Sequence, residues 1–301
     1  MKRKHELVGA IEAGGTKWVC AVGTRDGEIV EECVVATGGP RDTMAAVFAF
    51  FSGWQRQHGA IAAMGVGTFG PVVVDRDSER YGTILNSPKK AWRGFNFIAA
   101  LEGHFGPGFP VALDTDVNAA VLAERAALPQ KPANLVYLTV GTGIGGGAMV
   151  DGRIVHGWMH PEIGHLLVPE SAREPRPGFS SCEFHRSCIE GKASGTAMWQ
   201  RWGRKAEELP DGHEGWQLEG EYLASLAVSL TAAFSPDCLV FGGGVMRREV
   251  LLPLIREHFS CLAGSYWDLP PLGDYLRGTA LQDRAGLRGA LALTAGLRRA
   301  H

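Results

Sequence analysis

The chain has 301 residues, 45% hydrophobic and 21% charged, with a net charge of −2. That length supports a large core divided between two domains, and the near balance of charge excludes the basic excess expected of a nucleic-acid binder. Small molecules and further copies of the chain are the expected partners, with no nucleic acid and no membrane. The basic start Met1-Lys2-Arg3-Lys4-His5 is followed by an apolar stretch interrupted by Glu12 and Gly14-Gly15. This leaves neither a secretory apolar region nor a membrane span, and a cytoplasmic protein is expected. The six cysteines are scattered except for Cys182 and Cys188, which points to thiols and a metal rather than a disulfide framework.

In chain order, Leu7 to Ile11, Lys17 to Val22 and Ile29 to Ala36 read as strands. They are joined by the glycine turn Glu12-Ala13-Gly14-Gly15-Thr16-Lys17 and by Arg25-Asp26-Gly27, a hairpin signal. Pro40 to His58 carries Met44, Val47, Phe48 and Phe51 on one helical face. Ile61 to Val66 follows as a strand, Phe95 to Phe105 as a helix, and Val111 to Leu113 as a short strand running into Asp114-Thr115-Asp116. Asn118 to Ala127 reads as a helix that carries the chain into its second half.

There, the apolar run Leu135 to Val140 meets five glycines between Gly141 and Gly147, then Ala148 to Val150, Asp151-Gly152 and Arg153 to Val155. The last three segments read as strand, tight turn and strand. Gly141, Gly143 and Gly146 fit the G-x-G-x-x-G spacing, but without a following helix a dinucleotide site is disfavoured. A glycine turn between strands can still offer backbone N–H groups to a phosphate. Glu190 to Trp202 and Glu219 to Phe234 read as helices, and Cys238 to Phe241 as a buried strand ending in Gly242-Gly243-Gly244. Ala285 to Leu297 is a helix that packs back on the first half. Residues 170–181 and 206–217 are rich in Pro, Gly, Ser and charge and read as loops.

The segments EAGGTKWVCAVGTRDGEIV and VGTGIGGGAMVDGRIV share one order: glycine turn, apolar strand, Asp-Gly, charged residue, Ile-Val. One plan therefore occurs twice. Two such hairpins would close on a phosphate chain in an interdomain cleft, where ligand sites tend to lie.

Three constellations carry chemistry. Asp116 follows the end of a short strand, where open α/β sheets place ligands, and a carboxylate there can take a proton from a hydroxyl; Asp-Thr-Asp before a helix is equally a capping sequence. His165, Cys182, His185 and Cys188 provide four soft or borderline ligands on a tight loop, the number a closed structural zinc site takes. His156 and His160 lie in the same stretch. Glu162 and Glu190 flank the loop and could accept hydrogen bonds from sugar hydroxyls or remain solvated.

Together, Glu12 to Lys17, Asp114 to Ala119, Gly141 to Gly145, Glu162 to His165 and the Cys/His loop resemble the ROK family of sugar kinases and sugar-responsive repressors. Within it, the chain is most similar to the bacterial fructokinase branch, through Gly67 to Pro71, Ser87-Pro88-Lys89 with Trp92, His160 to His165, and the Cys182-x-x-His185-x-x-Cys188 spacing. The resemblance implies an actin-like, ribonuclease H-like fold: two duplicated α/β domains around an ATP cleft. These would span residues 1–117 and 118–284, with the zinc loop 165–188 in the second and a C-terminal helix of about 285–299 on the first.

The resemblance makes Asp116 the catalytic base. It assigns Gly14, Gly15, Thr16 and Lys17 to one phosphate loop, Gly141, Thr142 and Gly143 to the other, and Gly243 and Gly244 to the adenosine. Gly70, Pro71, Thr115, Asp116, Glu162, His165 and Glu190 would contact sugar, Glu12 would lie near Mg2+, and His165, Cys182, His185 and Cys188 would bind Zn2+. Thr115 and Glu12 depart from the Asn and Asp that many relatives carry, which bears on substrate and metal preference. The implied activity is phosphoryl transfer from Mg·ATP to a hexose, with the 6-hydroxyl of fructose expected and glucose, mannose or an N-acylhexosamine open, by a homodimer. A non-catalytic sugar-binding regulator is the alternative. Asp116 and both glycine loops weigh against it, and no helix-turn-helix is expected before the strand at Leu7.

Overall fold

The computed structural model describes residues 6–297; Met1 to His5, and residues 298–299 of the expected C-terminal helix, lie outside the described residues. The chain forms two units. One takes in the chain through Ala126, the return segment His156–His160 and the chain from Arg284; the other comprises Ala127–Val155 and Pro161–Asp283. The first unit thus runs past residue 117 and keeps the helix that the sequence placed at the start of the second half.

In the first unit, β1 (Val8–Ala13), β2 (Lys17–Gly23) and β3 (Ile29–Ala36) form antiparallel hairpins. Helix α1 (Pro40–His58) leads to β4 (Met64–Thr68), helix α2 (Phe97–Phe105) to β5 (Val111–Thr115), and helix α3 (Asp116–Ala127) follows directly. Strands β4 and β5 run parallel to β1, giving the order β3-β2-β1-β4-β5. Alternation along the strands sends Ile11, Met64, Val66 and Leu113 into one core with Val47 and Phe51 of α1 and Phe97 and Leu101 of α2. Val8 and Ala10 face the other way, against Leu287, Ala290 and Leu291 of the C-terminal helix Ala285–Leu293. That second face is packed closely. A Cβ at Gly65 would come 1.7 Å from the Ala290 carbonyl oxygen, and one at Gly289 would come 1.8 Å from that of Ala119.

The second unit repeats the plan. Strands β6 (Leu135–Val140), β7 (Ile144–Val150) and β8 (Arg153–Ile154) are antiparallel. After helices α4 (Ile189–Ala193), α5 (Gly195–Trp202) and α6 (Glu214–Phe234), strand β9 (Cys238–Gly242) pairs parallel with β6. Helices α7 (Leu251–Ala263) and α8 (Leu272–Tyr275) then lead to β10 (Leu276–Gly278), parallel to β9. The order β10-β9-β6-β7-β8, read from its other end, is that of the first sheet. Each unit is a three-stranded antiparallel start extended by parallel strands, the duplicated actin-like plan.

Several expectations are corrected. The expected helix Glu190 to Trp202 is two helices, broken at Ser194, whose hydroxyl accepts from Ala197 N and caps α5. Residues 206–217 are not loop throughout: a 3-10 turn covers Ala206–Glu208 and α6 begins at Glu214, burying Leu209 and Trp216. Residues 170–181 are loop, as expected, held by ion pairs of Glu174 with Arg201 at 3.0 Å and of Glu170 with buried Lys192 at 2.8 Å, and by Tyr222 OH donating to Glu174 at 3.0 Å. Among the described residues no helix is long and apolar enough to cross a membrane.

Candidate active site

Register brings the first unit's candidate residues to one edge of its sheet. Ala13, Thr68 and Thr115 lie in one row across β1, β4 and β5, so the next residues along, Gly14, Phe69 and Asp116, emerge side by side. At the usual strand spacing, the Gly14 and Asp116 backbones stand roughly 10 Å apart. The row before aligns Glu12, Gly67 and Asp114, and aligned residues share a face of the sheet. Gly67 lets the following helix lie close there, since a Cβ would come 3.2 Å from Ala119 Cβ and 3.4 Å from Asp116 Cα. Glu12 lies against Gly286 of the C-terminal helix, where a Cβ would come 2.4 Å from its Oε1. Gly70 and Pro71 follow Phe69 and join through a cis peptide.

The start of α3 assigns separate tasks to Asp114, Thr115 and Asp116. Thr115 caps the helix: its hydroxyl oxygen accepts from Asn118 N at 3.1 Å. The capping expected of Asp-Thr-Asp thus falls to its threonine and to neither aspartate. Asp114 is buried and accepts from Asn118 Nδ2 at 2.7 Å and from His156 Nε2 at 2.9 Å. The hydrogen bond to Asp114 raises the pKa of His156. Asp116 is left half-buried, its Oδ1 accepting from Val117 N at 2.9 Å. Burial pushes its carboxyl up to about 6, against the backbone N–H groups of Val117 and Asp116 that favour the charged form.

The turn Gly14 to Thr16 is held from outside. Thr37 donates from its hydroxyl to Gly14 O at 3.0 Å and from its N–H to Thr16 O at 3.1 Å, while Lys89 Nζ donates to Gly15 O at 2.6 Å. Lys17 opens β2 with its side chain exposed.

In the second unit, the turn proper is only Gly141-Thr142-Gly143. Gly145, Gly146 and Gly147 belong to β7, so the five glycines do not form one turn. Gly146 is there for packing, because a Cβ would meet Ile163 at 2.8 Å and Leu138 at 2.9 Å. Gly195 N donates to Gly141 O at 2.7 Å and the Thr196 hydroxyl to Thr142 O at 2.7 Å, tying the turn to α5. Pairing of Thr139 with Gly242 places Gly243 beside Val140, and a Cβ at Gly243, whose φ is +94°, would come 2.4 Å from Val140 O. Gly244 N lies 4.0 Å from the Cβ position of Gly141. The glycine turns after β6 and β9 are therefore neighbours.

His165, Cys182, His185 and Cys188 each present one ligand atom, all within 4.8 Å of one another. Tetrahedral zinc with bonds of about 2.0–2.3 Å separates its ligands by roughly 3.3–3.8 Å, so modest contraction would close the set. Burial lifts the Cys188 thiol to about 11 and lowers the pKa of His165. The histidines of this stretch divide between the units: His156 joins Asp114, and buried His160 accepts from Val72 N at 3.1 Å. Glu190, on α4 two residues after Cys188, accepts from Ile144 N at 3.0 Å and lies where a Gly143 Cβ would come 2.4 Å from its Oε2. It braces the second glycine turn, and its charge also acts on His165. Glu162 is exposed, its carbonyl accepting from His165 N at 2.9 Å.

The chain is similar to known proteins over most of its length. A fructokinase of Pediococcus pentosaceus is 37% identical over 95% of this chain and 97% of its own length. A putative fructokinase of Bacillus subtilis (strain 168) is 38% identical over 95% of each chain. Among solved structures, a ROK family glucokinase from Streptomyces griseus in complex with glucose and AMPPNP superimposes with a TM-score of 0.76 at 26% identity, covering 95% of this chain and 98% of the other. The family model described as "ROK family" matches residues 8–296, and the chain belongs to the ROK family.

Proposed function

We infer that this chain is an ATP-dependent hexose kinase that phosphorylates fructose on its 6-hydroxyl. The observation that carries the reading is the strand-end row in which the Gly14 to Thr16 turn and the Asp116 carboxyl emerge from one sheet edge. Glycine turns suit phosphates, and a carboxyl lifted to about 6 suits a general base working near neutrality. Phosphoryl transfer needs positioning and charge stabilisation more than covalent help, and these residues supply both.

In this reading, Asp116 takes the proton of the attacking hydroxyl. Asn118 and His156 fix Asp114 beside it, and Thr115 fixes the helix start. The phosphates of ATP are held by Gly14, Gly15, Thr16 and Lys17 and by Gly141, Thr142 and Gly143, with Gly243 and Gly244 toward the adenosine. Gly70, Pro71, Thr115, Glu162, His165 and Glu190 orient the sugar. Mg2+ enters with ATP, and the Glu12 carboxylate, on the same face of the sheet as Asp114, is the hard oxygen donor that such an ion takes. Zinc held by His165, Cys182, His185 and Cys188 would be structural, since four protein ligands leave no open position for water. A homodimer in the cytoplasm completes the reading, by resemblance to the family.

The test is a coupled ADP-release assay with fructose, glucose, mannose and N-acetylglucosamine. Fructose is expected to give the highest kcat/KM. Faster turnover of another hexose would replace fructose, and no ADP with any sugar would favour the regulator.

A further inference from the structure

Lys89 is a cation without an acid. Its ammonium donates to Gly15 O at 2.6 Å and stands 5.8 Å from the centroid of the Phe69 ring, and no carboxylate pairs with it among the described residues. Burial lowers its pKa, and no anion offsets the loss of water. A lysine on an open surface keeps its ammonium in solvent; this one folds back onto the turn so closely that a Cβ at Gly15 would come 3.1 Å from both Cε and Nζ.

Its root is fixed. Lys89 N donates to Ser87 Oγ at 3.3 Å, and Lys89 O accepts from Trp92 N at 2.9 Å. Trp92 is buried, donates from its indole to Gly38 O at 3.0 Å and packs on Trp18 at 4.8 Å between ring centroids. Position completes the case. The ammonium touches the turn after β1 and faces Phe69 after β4, and the next strand end along is that of Asp116. A phosphoryl group passing from nucleotide to sugar must stand between the phosphate turn and the base.

We propose that Lys89 leaves Gly15 O on nucleotide binding and holds the γ-phosphoryl group of ATP, stabilising the charge that group carries in transfer. The proposal rests on the kinase reading above. In the step, the sugar 6-oxygen forms a bond to the γ-phosphorus as the bond from that phosphorus to the β,γ-bridging oxygen breaks. The broken bond's electron pair leaves with ADP, and the hydroxyl proton passes to Asp116. Lys89 donates N–H hydrogen bonds to the non-bridging oxygens and keeps its protons.

The experiment compares the parent with Lys89→Met and Lys89→Arg. It measures kcat and KM for fructose and ATP, melting temperature, and calorimetric affinity for Mg·ADP and for a magnesium complex of a non-hydrolysable ATP analogue. Lys89→Met should lower kcat about 100-fold and leave the KM for fructose within about twofold, because the contact is made to the transferring group and not to the sugar. The parent should bind the triphosphate more tightly than ADP, a preference that Lys89→Met loses and Lys89→Arg partly restores along with turnover. An active parent with Lys89→Met within twofold of its kcat, or a parent that binds both nucleotides equally, overturns the role of Lys89 alone; the second readout needs no variant to fold. A parent that transfers phosphoryl to no hexose overturns the kinase reading, and this proposal with it.

Discussion

Burial, opposed in part by backbone N–H groups, sets the Asp116 carboxyl at about 6, and this cause fixes the sign of its pH dependence. The carboxylate is the base, so kcat/KM should fall about tenfold per pH unit below about 6 and level off above it. Asp116→Asn should lower turnover by at least ~100-fold while leaving fructose affinity near the parent's; retained turnover would remove Asp116 from the role. Stability runs the other way. Because the folded pKa lies above the ordinary carboxyl value of about 3.9, the native state holds its proton longer than the unfolded chain and loses stability as pH rises through that window. At pH 8 the Asn variant should therefore melt no lower than the parent, with the two converging below pH 4 in calorimetric scans. That Asp116 stands at a strand end before a helix was legible from local pattern. The division of labour within Asp-Thr-Asp was not, because Asn118 and His156 decide it and His156 lies 38 residues beyond Asn118. Lys89 was legible as part of a motif, but its contact with the first glycine turn was not, its partner being 74 residues away.

Elements followed sequence where their signals were local and departed from it where a distant backbone intervened. Helix α1 carries its own markers, Pro40 at the start and an apolar face of Met44, Val47 and Phe51. Helix α7 went unread: Pro253 looks like a breaker, yet it sits in the first turn, where no intrahelical N–H is required. The break at Ser194 depends on Gly195 reaching Gly141 O, a contact no local pattern announces. Close approach also makes the first unit sensitive to one methyl group. Gly289→Ala should lower unfolding free energy by about 1–3 kcal/mol in urea titration, since the added carbon would overlap the Ala119 carbonyl on α3; an unchanged midpoint would show that the two helices slide apart freely. The metal loop gives a second test at this scale. If His165, Cys182, His185 and Cys188 hold zinc, Cys182→Ser should carry less metal by atomic absorption and expose residues 166–188 to protease. Equal zinc in variant and parent would rule the cluster out.

At the scale of the whole molecule, each sheet presents a glycine turn at the end of its first strand, Gly14 to Thr16 after β1 and Gly141 to Gly143 after β6. A triphosphate that draws on both, as proposed, cannot be held by either unit alone, and the two turns can be damaged independently. A Cβ at Gly14 would come 2.6 Å from Lys17 O, and one at Gly143 would come 2.4 Å from Glu190 Oε2, so Gly14→Ala distorts the first turn and Gly143→Ala displaces the carboxylate that braces the second. At a concentration of a magnesium-bound, non-hydrolysable ATP analogue near 100 times its Kd, the parent should gain about 2.7 kcal/mol in urea unfolding. Each variant, measured against its own ligand-free midpoint, should lose most of that gain at the same concentration. NAD at matched concentration should give the parent no shift, because β7 follows the second turn where a dinucleotide fold would place a helix. Full stabilisation retained by Gly143→Ala would mean that the second unit's turn does not hold phosphate, and a shift with NAD would return the dinucleotide reading.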